Sequence, residues 1–262
     1  MAFTFGENWL AYSRTLDPAR LESATASLAG LLGVADLSSR TVVDVGAGSG
    51  LFSLAALRLG AARVVALDRD PNCLDAIRQN ASRFLSATER TRLDVLAADV
   101  LQAGSLPAGT FDVVYAWGSL HHTGALWTAI SHVAPLCAPG GRFVLAIYNR
   151  TWFSRQWLAI KQTYHAMPGP VRVAMVAALS APRYLARALR GRHPFRVERG
   201  MSVWYDSIDW LGGLPYEAAT VDEVTAALAR LGYVAERVRP TRRHGCNEFV
   251  FRRSAAPVAS SP

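Results

Sequence analysis

One stretch constrains this chain more than any other: Thr41-Val-Val-Asp-Val-Gly-Ala-Gly-Ser-Gly-Leu-Phe52. Val42, Val43 and Val45 read as a short buried strand, because β-branched side chains suit a pleated interior. Asp44 puts into that apolar run a charge that is costly to bury without a partner. Gly46, Gly48 and Gly50 follow at spacing two, and Phe52 opens a helix-like pattern. Glycines there let the backbone turn sharply and approach a ligand closely. A strand, a Gly-rich turn and a helix start together make the nucleotide-binding opening of a doubly wound α/β sheet. The glycines alone do not say which nucleotide.

The flanking sequence continues the alternation. After a lead-in over residues 1–16, Asp17-Pro18 starts a helix: Asp caps free N–H groups and Pro suits the first turn. Its stripe of Leu21, Leu28, Leu31 and Leu32 ends at Gly33. A helix from Leu51 to Leu59 follows the Gly-rich turn, closed by Gly60. Strands are expected over Arg63–Asp68, Leu93–Ala97, Phe111–Trp117 and Arg142–Tyr148. Helices run from Asp70-Pro71 to Phe84 and from Gly124 to Leu136, and Pro139-Gly140-Gly141 turns into the last of these strands. Such β-α alternation with short links implies parallel strands and right-handed crossovers.

Beyond residue 149 the rhythm breaks. Residues 150–217 fit no strand and hold two helical patches, 152–165 and 171–189, around Pro168-Gly-Pro170. They read as a mainly helical cap inserted into one domain of residues 1–253. A helix from Thr220 to Leu231 ends at Gly232. Tyr233–Pro240 and Glu248–Arg252, joined near His244-Gly245, then form an antiparallel hairpin at the sheet edge. Residues 254–262 read as a disordered tail.

Charge is uneven along the chain. Residues 150–200 hold nine Arg and one Lys against Glu198, a net +9, while the whole chain is +8. Lys161 is the only lysine among 28 basic residues, so the arginine excess reflects composition more than phosphate binding. The most apolar later stretch, Val171–Leu189, carries Arg172, Arg183 and Arg187 and contains Pro182, which makes it a poor membrane span. The first residues lack the basic and apolar regions of a signal peptide. Cys73, Cys137 and Cys246 lie far apart without metal-ligand spacing. A cytoplasmic protein without a metal site is the expectation.

The pattern Asp44-x-Gly46-x-Gly48-x-Gly50 resembles motif I of the class I S-adenosylmethionine (SAM) methyltransferases. A nicotinamide fingerprint would need glycine at 51, where this chain has Leu. Further resemblances follow in order. Asp68 ends the second strand, where the family's acid binds the ribose hydroxyls, and Arg69 would lie beside the adenine. Ala98-Asp99-Val100 ends the third strand, where the family's acid meets the adenine amino group. Trp117-Gly118 ends the fourth. The resemblance covers residues 41–149 closely and 218–253 in pattern. It implies a seven-stranded sheet of order 3-2-1-4-5-7-6 with the last strand antiparallel. It also implies SAM as cofactor, held by Asp44, Gly46, Ala47, Gly48, Gly50, Phe52, Asp68, Arg69, Asp99, Val100 and Trp117. Asn8 and Trp9 would close over it as an N-terminal lid. Tyr115-Ala-Trp-Gly-Ser-Leu-His-His-Thr-Gly124 is most similar to the ubiquinone-pathway type of small-molecule methyltransferases.

Transfer of a methyl group requires an aligned acceptor, exclusion of water and, for a hydroxyl, removal of a proton. Crevices in such sheets open at the carboxyl ends of the strands. His121 and His122 lie there and are the base candidates, since an unperturbed imidazole titrates near neutrality, about 6.5. Neighbours at a helix start point about 100° apart, so one of them, His121, is expected to face the methyl. Structural roles for both are the alternative. Asp206 and Asp209 would orient the imidazole or hold a substrate hydroxyl; solvated loop acids are the other reading. Trp204, Tyr205 and Trp210 are expected to line the acceptor cavity. O-methylation of a small metabolite, a sugar or secondary-metabolite hydroxyl, is the expected reaction, and an anionic acceptor would suit the basic cap. N- or C-methylation and RNA modification are the alternatives. Nucleic acid is disfavoured, because no appended RNA-binding domain and no Asn-Pro-Pro-Tyr-type motif is present. A homodimer is left open.

Overall fold

In the computed structural model, residues 5–191, 198–242 and 245–255 are described. Helix α1 (Phe5–Ser13) occupies what the sequence offered only as a lead-in. Helix α2 (Pro18–Leu32) begins as its sequence dictates: the Asp17 side chain accepts from the Arg20 N–H, and Gly33 closes it at φ +69°. Strand β1 (Thr41–Val45) leads into α3 (Leu51–Arg58), then β2 (Arg63–Asp68) into α4 (Pro71–Phe84). The short α5 (Ala87–Arg90) precedes β3 (Leu93–Ala97), and β4 (Phe111–Trp117) precedes α6 (Leu126–Val133). Strand β5 (Cys137–Tyr148) is followed by α7 (Ser154–Ala166), α8 (Gly169–Leu189) and α9 (Val203–Gly212). Helix α10 (Val221–Arg230) and strands β6 (Tyr233–Arg239) and β7 (Cys246–Arg253) complete the fold.

The seven strands form one sheet in the order β3-β2-β1-β4-β5-β7-β6, with β7 antiparallel to both neighbours. Strand order reverses beside β1, which pairs with β2 on one side and β4 on the other. That switch point is where a parallel sheet opens a crevice at its carboxyl edge.

Alternation along the strands sends side chains to two cores. Val43, Val45, Leu67, Val114 and Phe143 pack with α6 and α10 residues such as Ile130 and Leu228. Val42, Val64, Val113 and Val144 face the other way, onto Leu28 and Leu32 of α2 and Leu54 of α3. Both layers are closed before any ligand is considered, so the scaffold that carries the crevice is fixed by apolar burial.

Two local expectations change. Strand β5 starts at Cys137 rather than Arg142, because Cys137 already pairs with Phe111; the register then shifts, and Pro139-Gly140-Gly141 is carried as an irregularity within the strand. Helix α9 was not anticipated. It buries Val203, Ser207 and Leu211 at i, i+4 and i+8, and the serine in that stripe together with Asp206 and Asp209 hides the apolar period. The hairpin turn at His244 and the tail beyond residue 255 lie outside the described residues.

Candidate active site

The Gly-rich turn adopts the left-handed backbone that glycine tolerates. Gly46 has φ +71°, and a Cβ there would sit 2.4 Å from the Ser119 Cβ. Gly48 has φ +58°, and a Cβ would lie 3.1 Å from the Trp9 indole. The N–H groups of Gly46 and Ala47 both donate to the Leu67 carbonyl, at 2.8 and 2.9 Å, which pins the turn to the end of β2. Gly50 differs from the other two. It does not line the cavity; its backbone backs onto Ile77 of α4, so its role is to turn the chain into α3.

Two acids flank this turn. Asp44 is buried and accepts a 2.6 Å hydrogen bond from the Ser53 hydroxyl. Burial pushes its carboxyl up to about 7, with the charge of Asp68 adding to the rise. Asp68 accepts from the N–H of Gly48 at 2.9 Å and of Asp70 at 3.0 Å, so the carboxylate is held at the mouth of β2 by backbone donors. Burial raises its pKa too, against the pull of those two bonds. Asp99 accepts from the Leu101 N–H at 2.9 Å, and Asp99, Val100 and Arg69 all border the same space.

That space is a cavity of about 480 Å³. Its near end is formed by Trp9, the Gly46–Gly48 turn, Phe52 and Asp68; its far end by His121, His122, Tyr148, Asp206, Asp209 and Trp210. The expected site residues are thus brought to one cavity, Gly50 excepted. Trp204 and Tyr205 are the other departures. Trp204 packs among α7, α8 and α9, and Tyr205 stands 5.6 Å from the Tyr12 ring, so of the three expected aromatics Trp210 alone reaches the wall.

Both histidines face the cavity, where the sequence led us to expect one. His121 Nδ1 lies 3.2 Å from the Ala146 carbonyl, and His122 Nδ1 lies 2.8 Å from the Pro215 carbonyl. A carbonyl only accepts, so each Nδ1 is assigned the proton and each Nε2 keeps its lone pair. The His121 ring lies 3.9 Å from the Tyr148 ring, while His122 sits between Phe5 at 4.7 Å and Tyr148 at 5.3 Å. Burial, reinforced by nearby Lys161, lowers the pKa of both, to about 3 for His122. Neither titrates near neutrality in this enclosure, contrary to the value an exposed imidazole would have.

Asp206 and Asp209 are not solvated loop acids. They project from α9 onto the cavity wall, half-buried, and burial raises both carboxyls, Asp206 to about 6. Asp209 accepts from Asn8 Nδ2 at 2.7 Å. Asn8 and Trp9 therefore do close α1 over the site, and the Gly6 N–H, which donates to Asp70, ties down its start.

Two functional candidates escaped the sequence reading. Lys161, on α7, is fully buried behind the His121–Tyr148 wall; its Nζ donates to the Trp210 carbonyl at 2.6 Å and lies over the rings of Tyr148 and Tyr216. Burial pulls its pKa down to about 7. Being the sole lysine of an arginine-rich chain was its one visible signal. Arg199 takes a left-handed φ of +68° and stacks 3.2 Å over the Trp117 ring at the cavity edge. As one arginine among many, it gave no signal at all.

Residues 42–141 match the family model described as "Methyltransferase domain". The chain carries a methyltransferase domain over these residues, in the fold of the class I SAM-dependent methyltransferases. Ribosomal protein L11 methyltransferase of Aeromonas hydrophila subsp. hydrophila is 34% identical over 143 residues, 51% of this chain and 46% of that protein. The match thus spans under half the length of such relatives. Ubiquinone biosynthesis O-methyltransferase of Xanthomonas oryzae pv. oryzae is 27% identical over 233 residues, 86% of this chain and 84% of that protein. Magnesium protoporphyrin IX methyltransferase of Synechocystis PCC 6803 with bound SAH superposes at a TM-score of 0.57 and 18% identity, covering 89% of this chain and 83% of that one. At that identity the likeness is one of fold.

SAM is the cofactor of this class, and the near end of the methyltransferase cavity fits it on three counts. Gly46 and Gly48 present backbone without side chains to the cavity. A carboxylate, Asp68, is presented at the end of β2. The volume lies within the range of small-ligand sites, roughly 300–1,000 Å³.

Proposed function

We propose that this chain transfers the methyl group of SAM to an oxygen of a small acceptor, with the histidine pair taking the proton. The observation that carries the reading is the continuity of one cavity. Its near end has the Gly-rich turn and Asp68; its far end has two imidazoles, each with Nδ1 committed to a carbonyl and Nε2 left as the acceptor.

Bound SAM supplies an activated methyl carbon on a sulfonium. The chain's own residues do the rest. Asp68 would hold the ribose hydroxyls, Asp99 and Arg69 would border the adenine, and Asp44 would face the amino-acid end. Trp9 and Phe5, carried on α1, close the cavity and keep water out. His122 is the better placed base, because His121 is wholly buried beneath Tyr148 while His122 is more open to the cavity. The acceptor oxygen would take the methyl as the methyl's bond to the sulfonium sulfur breaks, leaving a neutral thioether, and the hydroxyl proton would pass to the His122 Nε2. Asp209 and Asp206 orient the acceptor from the opposite wall.

A base with so low a pKa does not deprotonate an aliphatic alcohol in advance. It suits an acceptor whose hydroxyl is itself acidic, such as a phenol or enol, and the rings of Tyr148, Trp210 and Phe5 suit a planar one. This shifts the reading away from sugar hydroxyls. The name of the Xanthomonas relative, a ubiquinone biosynthesis O-methyltransferase, agrees with it. RNA modification loses support because Lys161, Arg172, Arg183 and Arg199 turn inward rather than forming a phosphate surface.

The test is methyl-labelled SAM offered with a panel of phenols, enols and sugar alcohols. Labelled methyl ethers of phenols or enols are the expected products. His122→Ala should bind SAM normally and lose kcat by roughly 10²-fold or more. Full kcat in both His121→Ala and His122→Ala would sink the histidine mechanism, and transfer only to nitrogen or carbon would replace the proposed reaction.

A further inference from the structure

Helix α8 is built inside out. At 100° per residue its exposed positions fall on one side: Val171, Ala174, Ala178, Ala181, Leu185 and Leu189. Every one is apolar. The opposite side, which packs on α9, carries Arg172, Val176, Ser180, Arg183 and Arg187.

The arginines on that inner side are engaged within the fold. Arg172 donates to the Met167 and His165 carbonyls, both at 2.7 Å, and Arg183 donates to the Ser207 hydroxyl at 3.1 Å. A helix on a water-facing surface arranges these residue types the other way round. Leu189 is 79% exposed and Leu185 61%, and Trp152, just before α7, is 86% exposed. Large apolar side chains left this bare on one segment mark an interaction surface.

Charge selects the occupant. The stretch 150–197 that carries the face holds no acid, Arg155 three residues after Trp152 and Arg190 beside Leu189 are exposed, and the acids that follow on α9, Asp206 and Asp209, point into the cavity. A second copy of the chain would bring two such faces together, like charge against like. An anionic bilayer surface instead offers hydrocarbon for the leucines and tryptophan and counter-charge for Arg155 and Arg190. Among the described residues no helix is long and apolar enough to cross a membrane, so α8 would lie in the interface plane. Its 21 residues present roughly 30 Å of apolar edge in that orientation.

We propose that the outer face of α8, with Trp152, docks this protein on anionic lipid surfaces. Docking there places the membrane one helix layer away from α9, which lines the cavity through Asp206, Asp209 and Trp210.

The experiment is cosedimentation of the full chain with unilamellar vesicles of phosphatidylcholine alone, or of phosphatidylcholine with about one third phosphatidylglycerol. Wild type should partition to the anionic vesicles, at least about tenfold more weakly to the neutral ones, and release at high salt. Leu185→Glu with Leu189→Glu should cut partitioning at least about tenfold while calorimetric SAM binding and circular dichroism stay unchanged. Because SAM binding is read separately, loss of docking and loss of the proposed methyl transfer are distinguishable. Absence of wild-type partitioning, or equal partitioning of the double variant, would overturn the proposal. So would a wild-type dimer in sedimentation velocity that the double variant dissolves, which would assign the face to a second copy.

Discussion

Nδ2 of Asn8 donates a 2.7 Å hydrogen bond to the carboxylate of Asp209 across 201 residues of chain. This contact joins the first helix to the last helix before the closing strands and α10, directly over the cavity. The same asparagine donates to the Tyr205 carbonyl at 3.2 Å, so one side chain fixes α1 on α9. Asp209, in turn, keeps a partner in a site that would otherwise bury its carboxylate alone.

Asn8→Ala should therefore open the lid without unfolding the sheet. A hydrogen bond to a charged partner contributes about 1.5–3 kcal/mol, so SAM affinity should fall roughly 10- to 100-fold if closure is coupled to binding. Calorimetric titration checks the affinity, and limited proteolysis within residues 5–13 checks the lid. Unchanged values for both would show that α1 is held without the Asn8–Asp209 bond.

Asp68→Asn keeps the shape of the β2 terminus but discards the charge, and Asp68→Ala discards both acceptors. Affinity for SAM or SAH should drop about tenfold in the first and roughly 100-fold in the second. Equal, small losses would mean that the ribose is held elsewhere.

Asp44 links stability to cofactor binding. Its carboxyl titrates at about 7 in the fold against 3.8 in the unfolded chain. Between those values the unfolded state has lost its proton and the folded state has not, so stability falls as pH rises, with the full penalty reached above about 7. Asp44→Asn removes the penalty, and its gain in Tm should grow from about pH 4 to pH 7 and then level off. On the proposed reading the same variant should bind SAM more weakly, because the carboxylate that would face the cofactor's ammonium is gone.

Lys161 runs in the opposite sense. Its amine titrates at about 7 in the fold against 10.5 when exposed. As pH falls from 10.5 the unfolded state takes up the proton first, so the penalty for burial grows and is complete below about 7. Lys161→Met should thus be most favourable, relative to wild type, near pH 6 and least favourable near pH 10. Loss of the bond to the Trp210 carbonyl offsets part of the gain, so the slope of the Tm difference with pH is the quantity to measure. A flat difference would show that the amine keeps its ordinary value in the fold, and a slope that continues below pH 7 would show that it is neutral there as well.

Much of the fold was legible in residue order. Val42, Val43 and Val45 against Gly46 and Gly48 specify a strand and its turn. Asp17-Pro18 and Asp70-Pro71 announce helix starts that form as expected, with the acids capping the Arg20 and Asn72 N–H groups. The acids at 44, 68 and 99 are short-range signals too, inside, at the end of and just after strands that periodicity locates. Strand order and the reversed last strand came from resemblance, and the sheet has both.

What the residues alone did not reveal depends on partners far away in the chain. The distinction between Gly48, which borders the cavity, and Gly50, which backs onto Ile77, needs the position of α4. The depressed basicity of both histidines needs the wall of Tyr148, Phe5 and Lys161 around them. The sequence reading placed a helical patch over residues 171–189, and elementary patterning would turn Arg172, Arg183 and Arg187 outward. Only the tertiary structure decided that they turn in. Period fixes which residues share a face, whereas the hydrogen-bond acceptors at Met167, His165 and Ser207 decide which face the fold can bury.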